Sequence, residues 1–181
     1  MKEKIELRLM TEIGLAVALV VILDLFKLWR APQGGSVTLA LVPLIVVAFR
    51  HGLPAGIMAG GIAGIVKLFL GPYIVHPLQA ILDYPLAFLL VGLAGLFYSG
   101  FQKTQNKKYF YLAAGVFLGF FARFISHFIS GLVFFGHYAP EGTPVVVYSL
   151  TYNLSFIIPE ALLTFVVVLA LSYKRGIFQR R

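Results

Sequence analysis

An all-α bundle of six transmembrane helices is the fold this chain predicts, and three observations carry the prediction. Of its 181 residues, 60% are apolar and only 12% charged, about half the ~25% charge of an ordinary soluble domain. Mean hydropathy is +0.91, which is more apolar side chain than a water-facing globule of this length can hide, so the bilayer is its solvent. The apolar residues also fall into six runs with short connections. Six spans of roughly 20 residues would use about 120 positions, which leaves room for one membrane domain over 1–181 and for no separate soluble one.

The runs are read in order. The first extends over 9–28, and the turn-forming stretch WRAPQGGS follows it. The second, 37–49, is short and ends at Arg50-His51-Gly52. The third, 54–70, is rich in glycine and is broken by Gly71-Pro72. The fourth covers 76–98. The polar run GFQKTQNKK, 100–108, is the clearest loop in the chain. The fifth extends over 109–136, the loop HYAPEGTP follows, and the sixth covers 145–173 ahead of a basic tail.

Net charge is +8, and its placement says more than its size. Lys2, Lys4, Arg8, Arg50, Lys103, Lys107, Lys108, Lys174, Arg175, Arg180 and Arg181 all fall on one side of a six-span topology. Only Lys27 and Arg30 sit near the opposite loops, and Lys67 and Arg123 lie inside spans. The excess of cations on cytoplasmic loops then puts both termini in the cytoplasm. Partners read from this pattern are the lipid bilayer and not nucleic acid. The first run is no signal peptide, because Glu12 and Asp24 interrupt it and no small-residue cleavage site follows.

Several chemistries are missing. There is no cysteine, hence no disulfide or thiolate metal site. There is no GxxxxGK[ST] loop for a nucleotide, no HExxH or paired His spacing for a metal and no GxSxG elbow. The sequence therefore predicts no enzyme, no cofactor and no metal site. It predicts a carrier, a channel or a ligand-binding subunit of a larger machine.

Ionisable groups at bilayer depth are functional candidates by default. Asp83 lies in QAILDYPLAFLL, with Tyr84 beside it and Pro85 loosening the helix ladder. It would either hold a cationic or donor-rich ligand or pair internally with Arg123 or Lys67. Arg123, His127, Gly131 and Phe135 recur every four residues and form one stripe on the fifth helix. Tyr148, Ser149, Tyr152 and Asn153 gather on one side of the sixth, and Tyr73 precedes the fourth at similar depth. The tyrosines would serve a pocket or an interfacial aromatic belt, whereas Asn153 lies too deep for a belt. Glu160, further in, is expected to pair with a basic residue. Carboxylate, imidazole, amide and phenols thus converge on the outer half of spans four to six, as a small-molecule pocket requires. Its acid and ring faces would welcome a delocalised cation. Gly56, Gly60 and Gly64, like Gly115 and Gly119, are expected in close helix packing. The small residues Gly14 and Ala18 on the first helix could instead meet another protein.

The stretches TEIGLAVAL, VPLIVVAFRHGLPAG, QAILDYPLAF and, most specifically, HFISGLVFFGHYAPEGTPVVVYSLTYN resemble the thiamine-specific S components of energy-coupling factor (ECF) vitamin transporters, the YuaJ/ThiT-like family. The likeness covers essentially the whole chain. It implies a six-helix bundle in a prokaryotic plasma membrane, with a thiamine site near the outer face under the first loop. Carried over by position, it implies ligand contacts from Tyr73, Asp83, Tyr84, His127, Gly131, Phe135, Tyr148 and Asn153. Asp83 would meet the aminopyrimidine or offset the thiazolium charge, His127 and Asn153 would take further polar edges, and Tyr84, Phe135 and Tyr148 would stack. It implies docking through Gly14, Ala16 and Ala18 to an ECF transmembrane coupling subunit that works with two ATPase subunits. The chain departs from the family pattern at Asp83, where glutamate is usual. Gly34, Ala63 and Phe135 stand where tryptophans line the family pocket, and Thr38 stands for an acid. Trp29, ahead of the first loop, is a candidate substitute ring. The expected function is substrate capture for thiamine uptake. The rivals are a stand-alone proton-coupled symporter of thiamine or a precursor, with Asp83 or Glu160 carrying the proton, and a structural membrane protein.

Overall fold

The computed structural model describes residues 2–174 and 176–179, with side chains from Glu6 onward. Arg175, Arg180, Arg181 and the side chains of Lys2 and Lys4, all counted in the charge asymmetry, lie outside the described residues. Six helices form one all-α bundle: α1 (Lys2–Leu25), α2 (Val42–His51), α3 (Leu53–Lys67), α4 (Pro77–Lys103), α5 (Lys108–Phe134) and α6 (Val145–Ser172). Of these, α4, α5 and α6 are long and apolar enough to cross a membrane, while α2 and α3 are apolar but shorter. The expected loop at 100–108 is narrower than the sequence suggested, since α4 runs on through Lys103. Between α1 and α2 the turn-rich stretch forms a small antiparallel hairpin, β1 (Trp29–Arg30) with β2 (Ser36–Val37), which the sequence did not signal. Gly34, at φ 103°, makes its turn.

The glycine stripe of α3 is internal packing. A Cβ on Gly56 would stand 2.7 Å from the Gly92 carbonyl oxygen, and one on Gly64 would stand 2.6 Å from that of Tyr84. Gly60 leaves the same room for the Phe88 carbonyl. Backbones of α3 and α4 therefore touch, as small residues permit in lipid. Gly115 and Gly119 do the same for α5, against the carbonyls of Ala94 and Val91. The core between these helices is filled by Leu44, Ile45, Phe49, Val91, Leu112, Val116 and Phe120.

Helix α4 is not uniform. Residues Leu82–Leu86 form a π-helical turn around Pro85. Proline has no N–H to give the preceding turn and its ring crowds the carbonyl four residues back, so the ladder widens. The Ser126 hydroxyl donates to the Leu82 carbonyl at 2.6 Å and ties the widened turn to α5. The irregular turn carries Asp83 and Tyr84, and that placement builds the site.

The two ends of the bundle differ. At one end Glu12 accepts from Arg8 and forms ion pairs with Arg50 and His51, Arg50 donates to the Ile177 carbonyl, and Lys108 donates to the Ser172 carbonyl. At the other end lie the hairpin, the loop after α3 and the segment between α5 and α6.

Candidate functional site

The candidate site is a cavity of about 260 Å³ at the hairpin end, walled by α4, α5, α6, the hairpin and the loop after α3. Its centre is Asp83. The π-helical turn delivers this carboxylate to α5, where His127 Nδ1 stands 2.9 Å from Oδ1 and Ser130 Oγ donates to Oδ2 at 2.9 Å. Gln79, one turn earlier on α4, donates to the same Oδ2 at 2.7 Å. An ionised Asp83 only accepts and so takes this bond from Nδ1–H. Among the described residues, His127 Nε2 is buried without a protein partner.

The internal pairings weighed for Asp83 are taken up elsewhere. Arg123 pairs with Glu160, whose other oxygen accepts from Thr38 Oγ1 at 3.1 Å. Glu160 is thus matched to a base, as expected. Arg123 still borders the cavity, with its guanidinium engaged in this ion pair. Lys67 pairs with Asp24, which also has Lys27 at 3.9 Å. Among the described residues, no lysine or arginine is paired with Asp83. It is the acid in the cavity wall whose charge no fixed cation offsets.

Aromatic rings form the sides. Tyr148 and Tyr152 lie 5.8 Å apart between ring centres, and Tyr152 meets Phe156 at 5.9 Å. The Tyr152 hydroxyl accepts from the Gly35 amide at 3.3 Å, which fastens the hairpin over α6. Across the cavity Tyr73 stacks on Phe135 at 6.1 Å, and its hydroxyl lies 2.6 Å from that of Tyr138. That bond to a second phenol holds the Tyr73 phenol above its ordinary pKa. The Tyr73 amide donates to the Tyr84 hydroxyl at 2.8 Å. Asn153 donates to the Ser149 carbonyl at 2.8 Å and is buried. Gly131 makes room for both: a Cβ there would lie 3.1 Å from Ser149 Cβ and 3.2 Å from Asn153 Nδ2.

All eight residues singled out from the sequence, Tyr73, Asp83, Tyr84, His127, Gly131, Phe135, Tyr148 and Asn153, border this one cavity. Other expectations are corrected. Trp29 is half exposed on β1 and is not in the wall, so it replaces no lost ring; Tyr152, Phe156 and Phe88 occupy the wall instead. Ala63 is buried in the core rather than in the cavity wall. On α1, Gly14 and Ala18 are exposed, but Ala16 is buried beside Ile13, Val17 and Val20 and takes no part in an outward face. Gln79 and Ser130 were missed. The available signal was a polar residue inside an apolar run, four positions before Asp83 in one case and three after His127 in the other.

The family model described as Thiamine transporter protein (Thia_YuaJ) matches residues 10–179. The thiamine transporter ThiT of Bacillus subtilis is 38% identical over 176 residues, covering 93% of this chain and 92% of its own length. That of Lacticaseibacillus paracasei is 45% identical over 137 residues, 71% of this chain and 68% of its own. The solved structure of ThiT from Listeria monocytogenes superposes with a TM-score of 0.87 at 26% identity, over 97% of this chain and 99% of that one.

Proposed function

This chain belongs to the thiamine transporter protein family, and from that premise we propose that it is the membrane subunit that captures thiamine at the outer face and hands it to a separate ECF energising module. The family is one of multi-pass bacterial membrane transporters rather than enzymes. The observation that carries the reading is Asp83, a carboxyl between aromatic walls that among the described residues pairs with His127 and with no lysine or arginine. Thiamine brings a cationic thiazolium and an aminopyrimidine donor. A charge-assisted hydrogen bond contributes about 1.5–3 kcal/mol, and ring faces add cation–π attraction. Tyr84, Phe135 and Tyr148 supply faces, Asn153 and His127 supply polar edges, and Gly131 keeps the space open. The first loop and Tyr73 close the outer side.

Glu160 is assigned to an internal contact rather than to the ligand: its carboxylate is bound to Arg123 on α5 and to Thr38. Docking to the coupling subunit is assigned to the exposed stripe Met10, Gly14, Ala18 and Ile22 on α1, where four-residue spacing keeps small and apolar residues on one face. Titration of the purified chain with thiamine in detergent tests capture. One-to-one binding without any partner is expected, and no binding would contradict it.

A further inference from the structure

The Gln79 carboxamide is 1% exposed and has every hydrogen-bonding group in use. Its Oε1 accepts from the Val75 amide at 3.0 Å, and its Nε2 donates to the Tyr73 carbonyl at 3.1 Å and to Asp83 Oδ2 at 2.7 Å. The Val75 N–H fixes which end of the amide is oxygen, because a flipped amide would face two acceptors with a third. One rigid planar group therefore spans the acid of the site and the loop 71–76 that borders its outer side. Tyr73 in that loop is held from three further directions, by the Tyr84 hydroxyl, the Phe135 ring and the Tyr138 hydroxyl.

Taking the site as the thiamine site of the preceding subsection, we propose that Gln79 is a positioning residue that couples Asp83 to the outer loop, so that a ligand engaging the carboxylate also tightens the loop closing over it. Ser130 donates to the same oxygen at 2.9 Å, and among the described residues no hydrogen bond joins its hydroxyl to the loop, so it orients the acid without this coupling. The consequence is that Gln79 acts on the ligand through Asp83, not beside it.

A double-mutant cycle on the full purified chain separates these roles, since groups acting as one unit lose binding once, not twice. Gln79→Met, which keeps the length and removes all three bonds, is expected to weaken thiamine binding at least tenfold. Combined with Asp83→Ala, it should bind within threefold of Asp83→Ala alone. Amide hydrogen exchange gives the loop readout. Thiamine should slow exchange at Val75 at least fivefold in the wild type and in Ser130→Ala, and not in Gln79→Met. Losses that multiply across the cycle, a Gln79→Met affinity within twofold of wild type, or ligand protection of Val75 persisting in that variant would each overturn the proposal. Gln79→Leu, which also fills the space and removes all three bonds, takes the place of Gln79→Met if the latter does not fold. Should the wild type bind no thiamine, the functional reading fails, and the coupling is decided on the unliganded chain. There Asp83→Ala should speed Val75 exchange at least fivefold and Ser130→Ala should not; equal rates in both would overturn it.

Discussion

Three donors orient the Asp83 carboxylate and, among the described residues, no lysine or arginine is paired with it, so in the proposed site it would read ligand charge. Asparagine fits the same space: its oxygen can take the Gln79 and Ser130 bonds, and its nitrogen can donate to His127 after a tautomer change. What it loses is the negative charge. Asp83→Asn is therefore expected to weaken thiamine binding at least tenfold, or about 1.4 kcal/mol, and to leave the unliganded chain folded. A neutral pyrimidine analogue should lose less, and calorimetric titration of both ligands checks the difference. Gly131 makes the complementary prediction. Its missing Cβ is the space between α5, Ser149 and Asn153, so Gly131→Ala should cost about 1–3 kcal/mol of stability through overpacking and weaken thiamine binding with it. A thermal melt and a titration would register both. The site's polar residues were legible because a charge or amide inside an apolar run is costly in lipid and persists where it binds or pairs. Gln79 and Ser130 were less legible, since their partners are set by how α4 and α5 meet and not by spacing along the chain.

At the scale of the element, α4 shows how one residue shapes a site. Pro85 breaks the regular ladder, and the π-helical turn that results turns Asp83 and Tyr84 toward α5 and the outer loop. Sequence predicts the loosened ladder from proline chemistry, but whether it widens or kinks depends on Ser126 standing ready to bond the Leu82 carbonyl. Helix α1 teaches the opposite lesson. Residues two apart on an α-helix lie roughly 200° around its axis, so Ala16 cannot share an outward face with Gly14 and Ala18, and it packs into the core. The proposed docking face is thereby narrowed to the stripe through Gly14 and Ala18. Ala18→Trp is expected to abolish uptake in cells carrying the energising module and to leave thiamine affinity of the isolated chain within twofold. Ala16→Trp should instead unfold the bundle, because Ala16 has no open side. Loss of ligand binding in the Ala18 variant would reassign that face to internal packing.

For the whole molecule, hydropathy alone conveyed an all-helical membrane bundle, because apolar runs of helix length admit few other folds in lipid. It could not convey the hairpin over the cavity. Two-residue strands carry no periodic signal, and this one is fastened by the Tyr152 hydroxyl, a contact far away in sequence. The charge asymmetry makes a further prediction. If the end carrying Arg8, Arg50 and Lys108 faces the cytoplasm, reporters fused at Lys107 and at the C-terminus should both read as internal, and an external reading at both would contradict the proposed topology. In the proposed reading the chain captures thiamine but does not move it unaided. Uptake of labelled thiamine into liposomes tests this most directly, with the purified chain reconstituted alone under an imposed pH gradient and, in parallel, with an ECF coupling subunit, its two ATPases and ATP. Binding without accumulation is expected in the first case and accumulation in the second. Accumulation driven by the pH gradient in liposomes holding this chain alone would contradict it.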